Sequence, residues 1–162
     1  MNPRCIGTGI LCLLLVGGVF FITFQSQEVE ASFTSDDVEE LVEYLESDTA
    51  YNLKLMAVDA LRKKKDTGVE KELETLATGD DFKLAVACTT ALGKKKSSAA
   101  KGSLKNLLET TSLDTEIRKS AMTAIAVHFK DSSDLTYLES KTASDSDLKG
   151  HCAWLKTNVY KK

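Results

Sequence analysis

The sequence predicts an all-α chain in which about four antiparallel helix pairs stack into a small solenoid, preceded by an N-terminal hydrophobic helix. Three observations carry this. A helix core returns four times, as Leu53-Lys54…Ala57…Ala60-Leu61, Leu84…Cys88…Ala91-Leu92, Ile117-Arg118…Ala121…Ala124-Ile125 and Leu148-Lys149…Cys152…Leu155, and its first residues stand 31, 33 and 31 positions apart. That period holds two helices and two tight turns but no βαβ crossover or propeller blade. The composition is that of helices: aromatics make up 7% of the 162 residues and Pro3 is the only proline, whereas Ala, Leu, Lys and Glu abound. No segment sustains two-residue alternation, so no strand is expected.

From the N-terminus, Cys5 to Phe24 is apolar or small at nearly every position and uncharged, enough to cross a bilayer or to direct export. Arg4 precedes it and Glu28 and Glu30 follow, which places the N-terminus in the cytoplasm and the rest outside. The run length fits an uncleaved anchor, and Val29-Glu30-Ala31 before Ser32 fits signal-peptidase cleavage; both readings stand. Cys12 follows Gly9-Ile10-Leu11, which lacks the small residue expected before a lipid-modified cysteine. Residues 1–31 are thus a signal or anchor with a short linker, and 32–162 form the repeat domain, with 20 basic against 22 acidic side chains.

In that domain Ser35 or Asp36 caps a first helix with Val38, Leu41, Val42 and Leu45 at helical spacing, and Ser47-Asp48-Thr49 breaks it. The second helix puts Leu53, Met56, Ala57, Ala60 and Leu61 on one stripe and ends in Arg62-Lys63-Lys64-Lys65, positive charge at the carbonyl end of the helix dipole. Val69, Leu73 and Leu76 mark the next outer helix, which Gly79 stops. Asp80 or Asp81 caps its inner partner, and Gly93 with Lys94-Lys95-Lys96 closes the unit. The third pair uses Leu104, Leu107 and Leu108, then Asp114 as cap before Ile117, Ala121, Ala124 and Ile125. The fourth uses Leu135 and Leu138, then Asp145 before Leu148, Cys152 and Leu155. Small residues four and seven places into an inner helix let neighbouring helices approach closely. The ending Leu155-Lys156 suits an outer cap facing water.

The unit Asp-x-x-(Ile/Leu)-(Arg/Lys)-x-x-Ala…Ala-Leu-Gly resembles short bacterial HEAT-like repeats, of the type named after the phycobilisome lyases, over residues 36–160. Its clearest copies are Asp114-Thr115-Glu116-Ile117-Arg118…Ala121…Ala124-Ile125 and Ala91-Leu92-Gly93. The resemblance implies antiparallel helix pairs in a right-handed curved solenoid, second helices on the concave side. It also implies a polar ladder between units from the turn aspartate and the following basic residue, matched by Asp114 with Arg118 and Asp145 with Lys149. Ala50 and Ala85 depart from that pattern in the first two units.

Chemistry-bearing motifs are sparse. His128 and His151 lie in different units outside any catalytic motif; His128, near a helix C-terminus with Lys130, reads as a dipole-favoured surface cation. The pairs Asp36-Asp37 and Asp80-Asp81 stand where caps are needed. Cys5 and Cys12 fall in the apolar run, and Cys88 and Cys152 occupy the same inward position two units apart, too far for a bridge, so they read as buried thiols. His151 beside Cys152 has no zinc spacing, and no metal or cofactor is expected.

Two surfaces remain. Arg62, Lys63, Lys64 and Lys65, with Lys94, Lys95 and Lys96, recur at one point of consecutive units, which stacking brings onto one edge; an anionic partner or lipid headgroups would meet it, and a solvated set of helix C-termini is the plain alternative. Leu55, Asp59, Val86, Thr90, Lys119, Thr123 and Trp154 form the inner-helix face opposite the core stripe, mixed and modestly apolar as protein-binding surfaces are. Trp154 reads as a partner anchor or as a cap against the third unit. The function expected is therefore a non-catalytic protein-interaction scaffold at the outer face of a bacterial cytoplasmic membrane, held through residues 5–24, or secreted or periplasmic after cleavage at Ala31–Ser32. The lyase resemblance leaves a chromophore-attachment factor open. A nucleic-acid-binding module of the same kind is the third reading, against which the formal charge of −3 speaks.

Overall fold

The computed structural model describes residues 38–47 and 50–161. They are helical apart from short connections: α1 (Val38–Glu46), α2 (Tyr51–Lys63), α3 (Val69–Ala77), α4 (Phe82–Lys95), α5 (Ser98–Glu109), α6 (Thr115–His128), α7 (Ser132–Thr142) and α8 (Ser146–Leu155), then a π-helical turn, Lys156–Tyr160. The expected hydrophobic N-terminal helix, Cys5, Cys12, the expected cleavage position Ala31–Ser32, the expected caps Ser35 and Asp36, and Asp48-Thr49 lie outside the described residues. Among the described residues there is no strand, and no helix is long and apolar enough to cross a membrane.

Helix starts follow cap chemistry. Asp81 accepts from the Leu84 N–H at 3.0 Å, Asp114 from Glu116 at 2.7 Å, and Asp145 from both Asp147 and Leu148, each satisfying N–H groups that the first turn leaves orphaned. Ser97 and Asp131 do the same for α5 and α7. Ala50 offers α2 no side-chain cap.

Consecutive helices pack as α1–α2, α3–α4, α5–α6 and α7–α8, and the second members pack on one another in the order α2–α4–α6–α8, with α3 on α5. The core is one continuous cluster: Ala57 and Leu61 of α2, Leu84, Cys88 and Leu92 of α4, Ala121, Ala124 and Ile125 of α6, and Leu148, Cys152 and Leu155 of α8, covered by Leu73, Leu104, Leu107, Leu108 and Leu138. Each leucine taken from water there stabilises by about 1.5–3 kcal/mol. Cys88 and Cys152 are buried, unpaired thiols, and burial pushes Cys88 up to about 12.

Polar ties reinforce the packing across one repeat. Ser103 Oγ donates to the Glu70 carbonyl 33 residues back, Asn106 Nδ2 to Glu74 32 back, and the Tyr51 hydroxyl to the Lys83 carbonyl 32 ahead. The polar ladder is realised differently from its expected pairing. Asp114 is spent on its own helix, and Arg118 reaches forward to Asp145 of the next unit at 3.1 Å and to the Leu108 carbonyl at 3.0 Å. Lys149 is exposed and takes no part.

Other expectations are corrected. In α2 the buried stripe is Ala57, Val58 and Leu61, and Met56 is 49% exposed; among the described residues α2 packs chiefly on α4 and α1, which set its buried face. In α3, Ala77 is buried and Leu76 only half-buried. Gly93 does not stop α4, which runs on to Lys95, with Lys96 in the left-handed conformation at φ 56° as its closing residue. Gly93 serves close approach instead: a Cβ there would stand 2.6 Å from His128 Cδ2 and 2.9 Å from Ala124 Cβ. His128 is accordingly no surface cation. It packs half-buried on Gly93, and burial, with Lys96 and Lys94 nearby, lowers its pKa. At the other end Lys156 faces water bound to Glu139, but the chain continues past it and lays Val159 and Tyr160 on the core.

Candidate functional site

The inner-face residues hold two register positions. Leu55, Val86 and Lys119 come two residues after the first core residue of their helices, and Asp59, Thr90, Thr123 and Trp154 six after, so α2, α4, α6 and α8 carry them as two rows on one side of the core stripe. Leu55 and Trp154 are exposed and the other five half-buried. Several are occupied locally. Asp59 is held by Lys63 at 2.6 Å and Arg62 at 2.8 Å, and the Lys63 bond first keeps its carboxyl below the usual range. Thr90 donates back to Val86 at 2.9 Å, and Lys119 pairs with Glu116 at 2.8 Å.

The structure brings Lys119, Thr123, His151 and Trp154 together across α6 and α8. Thr123 Oγ1 lies 2.8 Å from His151 Nε2, and the His151 ring stacks on Trp154 with centroids 6.0 Å apart and planes 14° from parallel. Burial, then the Lys119 charge, lowers the His151 pKa. Trp154 itself is 55% exposed. It stacks on a neighbour of its own helix.

On α2 and α4 the first turns of the same face are apolar. Tyr51 and Phe82 sit two residues before half-buried Leu53 and buried Leu84 and are both exposed. They extend the Leu55–Val86 row by one turn, with Lys83 Nζ 5.6 Å over the Tyr51 ring. The inner face expected from the sequence left out Tyr51, Phe82 and His151. A signal existed for the first two, since Tyr51 and Leu55, and Phe82 and Val86, share the i, i+4 spacing that puts side chains on one helix face.

The basic set divides. Lys95 turns inward, its side chain 7% exposed, and donates to the Lys64 carbonyl at 2.7 Å and the Arg62 carbonyl at 3.4 Å, with Glu70 at 3.7 Å. Burial alone would raise Glu70, but the Ser97 hydroxyl and Lys95 hold it below the usual range. Lys95 is therefore a tie between units and no part of a docking edge. Arg62 and Lys63 are engaged with Asp59, and Lys64 is half-buried. Lys65, Lys94 and Lys96 are exposed.

A polar cleft of about 480 Å³ opens where α5, α6 and the α7–α8 turn meet, lined by Leu108, Glu109, Arg118, Lys141 and Asp145. Its charges are matched, Arg118 to Asp145 and Lys141 to Glu109 at 3.0 Å. Among the described residues no group of His, Cys, Asp and Glu could hold a metal ion. No protein-family model matches the chain, and neither a curated protein nor a solved structure does.

Proposed function

We propose that the chain is a HEAT-like α-solenoid of four helix pairs acting as a non-catalytic interaction scaffold, which binds a protein or peptide on the face formed by α2, α4, α6 and α8. The observation that carries this reading is the apolar surface at matched register, exposed Tyr51 with Phe82 and exposed Leu55 beside half-buried Val86, on two helices that pack side by side. Isolated exposed apolar residues mean little, whereas adjoining ones on one face mark interaction surfaces. Trp154 at the far end of the face gives it an aromatic contact of the kind that dominates binding energy. The bonds reaching across one repeat support the solenoid, because nearest-neighbour interfaces are what such an array is built from.

The test is a photo-crosslinking amino acid placed in turn at Leu55, Val86 and Trp154 and, on the outer helices, at Thr75 and Ser140. One discrete adduct from the three inner positions, lost when Phe82→Glu is added, is the expected result. Adducts from Thr75 and Ser140 alone would place recognition on the other side. A chromophore covalently carried by the purified chain would transfer the protein to the attachment-factor class.

A further inference from the structure

The four inner helices all end at one end of the molecule. Lys95 joins the last turns of α2 and α4, His128 at the last turn of α6 meets Gly93, and the turn after α8 brings Tyr160 near Asp131 and Asp134 at the start of α7. Five exposed lysines stand there, Lys65 after α2, Lys94 and Lys96 closing α4, Lys130 after α6 and Lys161 after α8, and none is in an ion pair among the described residues. Lys96 and Lys130 are also the two described non-glycine residues with positive φ, 56° and 54°. A lysine in a left-handed closing position costs about 1 kcal/mol against the glycine usual there. Acids at this end are mostly engaged or set apart: Glu70 lies by Lys95, and Asp134 is paired with Lys101. Glu39 and Glu40 belong to the outer row of helix starts, and Asp66 and Asp131 adjoin the lysines, Asp131 being engaged as the cap of α7.

The chain enters at this same end. Only residues 47–50 separate α1 from α2, on which it packs, so α1 runs antiparallel to α2 and Val38 begins where α2 stops. Residues 25–37, which lead from the uncharged apolar run to Val38, span at most about 45 Å. A bilayer holding that run would therefore be tethered to the domain at its lysine end.

We infer that the edge formed by Lys65, Lys94, Lys96, Lys130 and Lys161 docks on the anionic headgroups of the membrane in which residues 5–24 are anchored, leaving the inner face free for a partner. The inference rests on retention of the anchor, not on the scaffold reading. Tethering makes docking intramolecular, and each lysine near an anionic surface adds roughly a fivefold preference over a neutral one. The five together far outweigh the tether's slack at low salt and weaken as the Debye length shrinks.

The test uses the full chain reconstituted in vesicles of phosphatidylcholine alone and of phosphatidylcholine with phosphatidylglycerol in equal parts, with an amine-acetylating reagent and mass-spectrometric readout at each lysine. Lys94, Lys96 and Lys130 should be acetylated at least about tenfold more slowly on the anionic vesicles. Lys149, exposed at the start of α8 at the opposite end, should not change, and high salt should remove the difference. A chain that fails to float with neutral vesicles after an alkaline wash lacks the anchor, and the placement falls with it. A chain that floats but shows no protection, or protection at Lys149 as well, keeps the anchor and overturns the docking. Protection by a polyglutamate peptide on neutral vesicles, with none from the anionic lipid, assigns the edge to an acidic protein instead.

Discussion

Replacing Gly93 with alanine tests the tightest joint in the molecule. An added methyl would lie 2.6 Å from His128 Cδ2 and 2.9 Å from Ala124 Cβ, with Ala124 Cα at 3.4 Å. The imidazole can swing, but the Ala124 methyl is fixed to the α6 backbone and yields only if two helices separate. Overpacking of this kind costs about 1–3 kcal/mol, against which alanine regains about 1 kcal/mol of helix propensity. The net expectation is a loss of about 1 kcal/mol. Gly102 and Gly150 calibrate the propensity term, since both are exposed, helical and have nothing within 4 Å of an added Cβ; Gly102→Ala and Gly150→Ala should each gain about 0.5–1 kcal/mol. Urea melts followed by circular dichroism resolve a difference of this size, and a double variant with His128→Ala apportions the clash between the ring and Ala124. If Gly93→Ala gains as much as the other two, α4 and α6 do not meet at this residue and the packing of the inner row is wrong.

Lys95→Met should cost about 2–3 kcal/mol, because two carbonyls and the Glu70 carboxylate lose a buried cation, whereas exposed Lys94→Ala should stay within about 0.5 kcal/mol. Acid sensitivity should run through Glu70: its folded pKa is depressed, so its contribution is complete above the unfolded value of about 4.3 and is lost as pH falls below it. A Glu70→Gln chain should therefore show a flatter fall of the urea midpoint between about pH 5 and 3, and an unchanged slope would refute the assignment. The emission of Trp154, the only tryptophan, should titrate with its stacked neighbour at a midpoint below 6.5. His151→Gln should abolish that titration.

The last three helix pairs were legible because their signals agree. Asp81, Asp114 and Asp145 stand three residues before Leu84, Ile117 and Leu148, and the small residues of α4, α6 and α8 follow at helical spacing, so cap and stripe point to the same face. Where the signals were shared between two meanings, the reading failed. Glycine followed by three lysines reads as a helix stop, yet Gly93 is a contact within a helix. Which of three lysines turns inward was encoded, since Lys95 continues the Cys88–Leu92 stripe, but a lysine stem hides its charge among apolar neighbours in a way that a charge count misses. Met56 and Val58 exchange places because the face of α2 is set by what packs on it. The basic edge was half visible: Lys130 and Lys161 come from loops whose return to one end depends on the direction of each helix, which a linear pattern does not state.

The side-chain bonds that tie one repeat to another span at most 33 residues, and this locality bears on how such a chain grows. In the solenoid proposed above, cutting between Lys96 and Ser97 and inserting a further helix pair would sever one interface and recreate two of the same kind, with no distant register to restore. Length is then a free parameter for evolution or design, and stability should rise by a near-constant increment per unit. The ends are the exception: among the described residues α1 is the outermost helix, packed chiefly on α2, so unfolding of this part should begin there and travel inward.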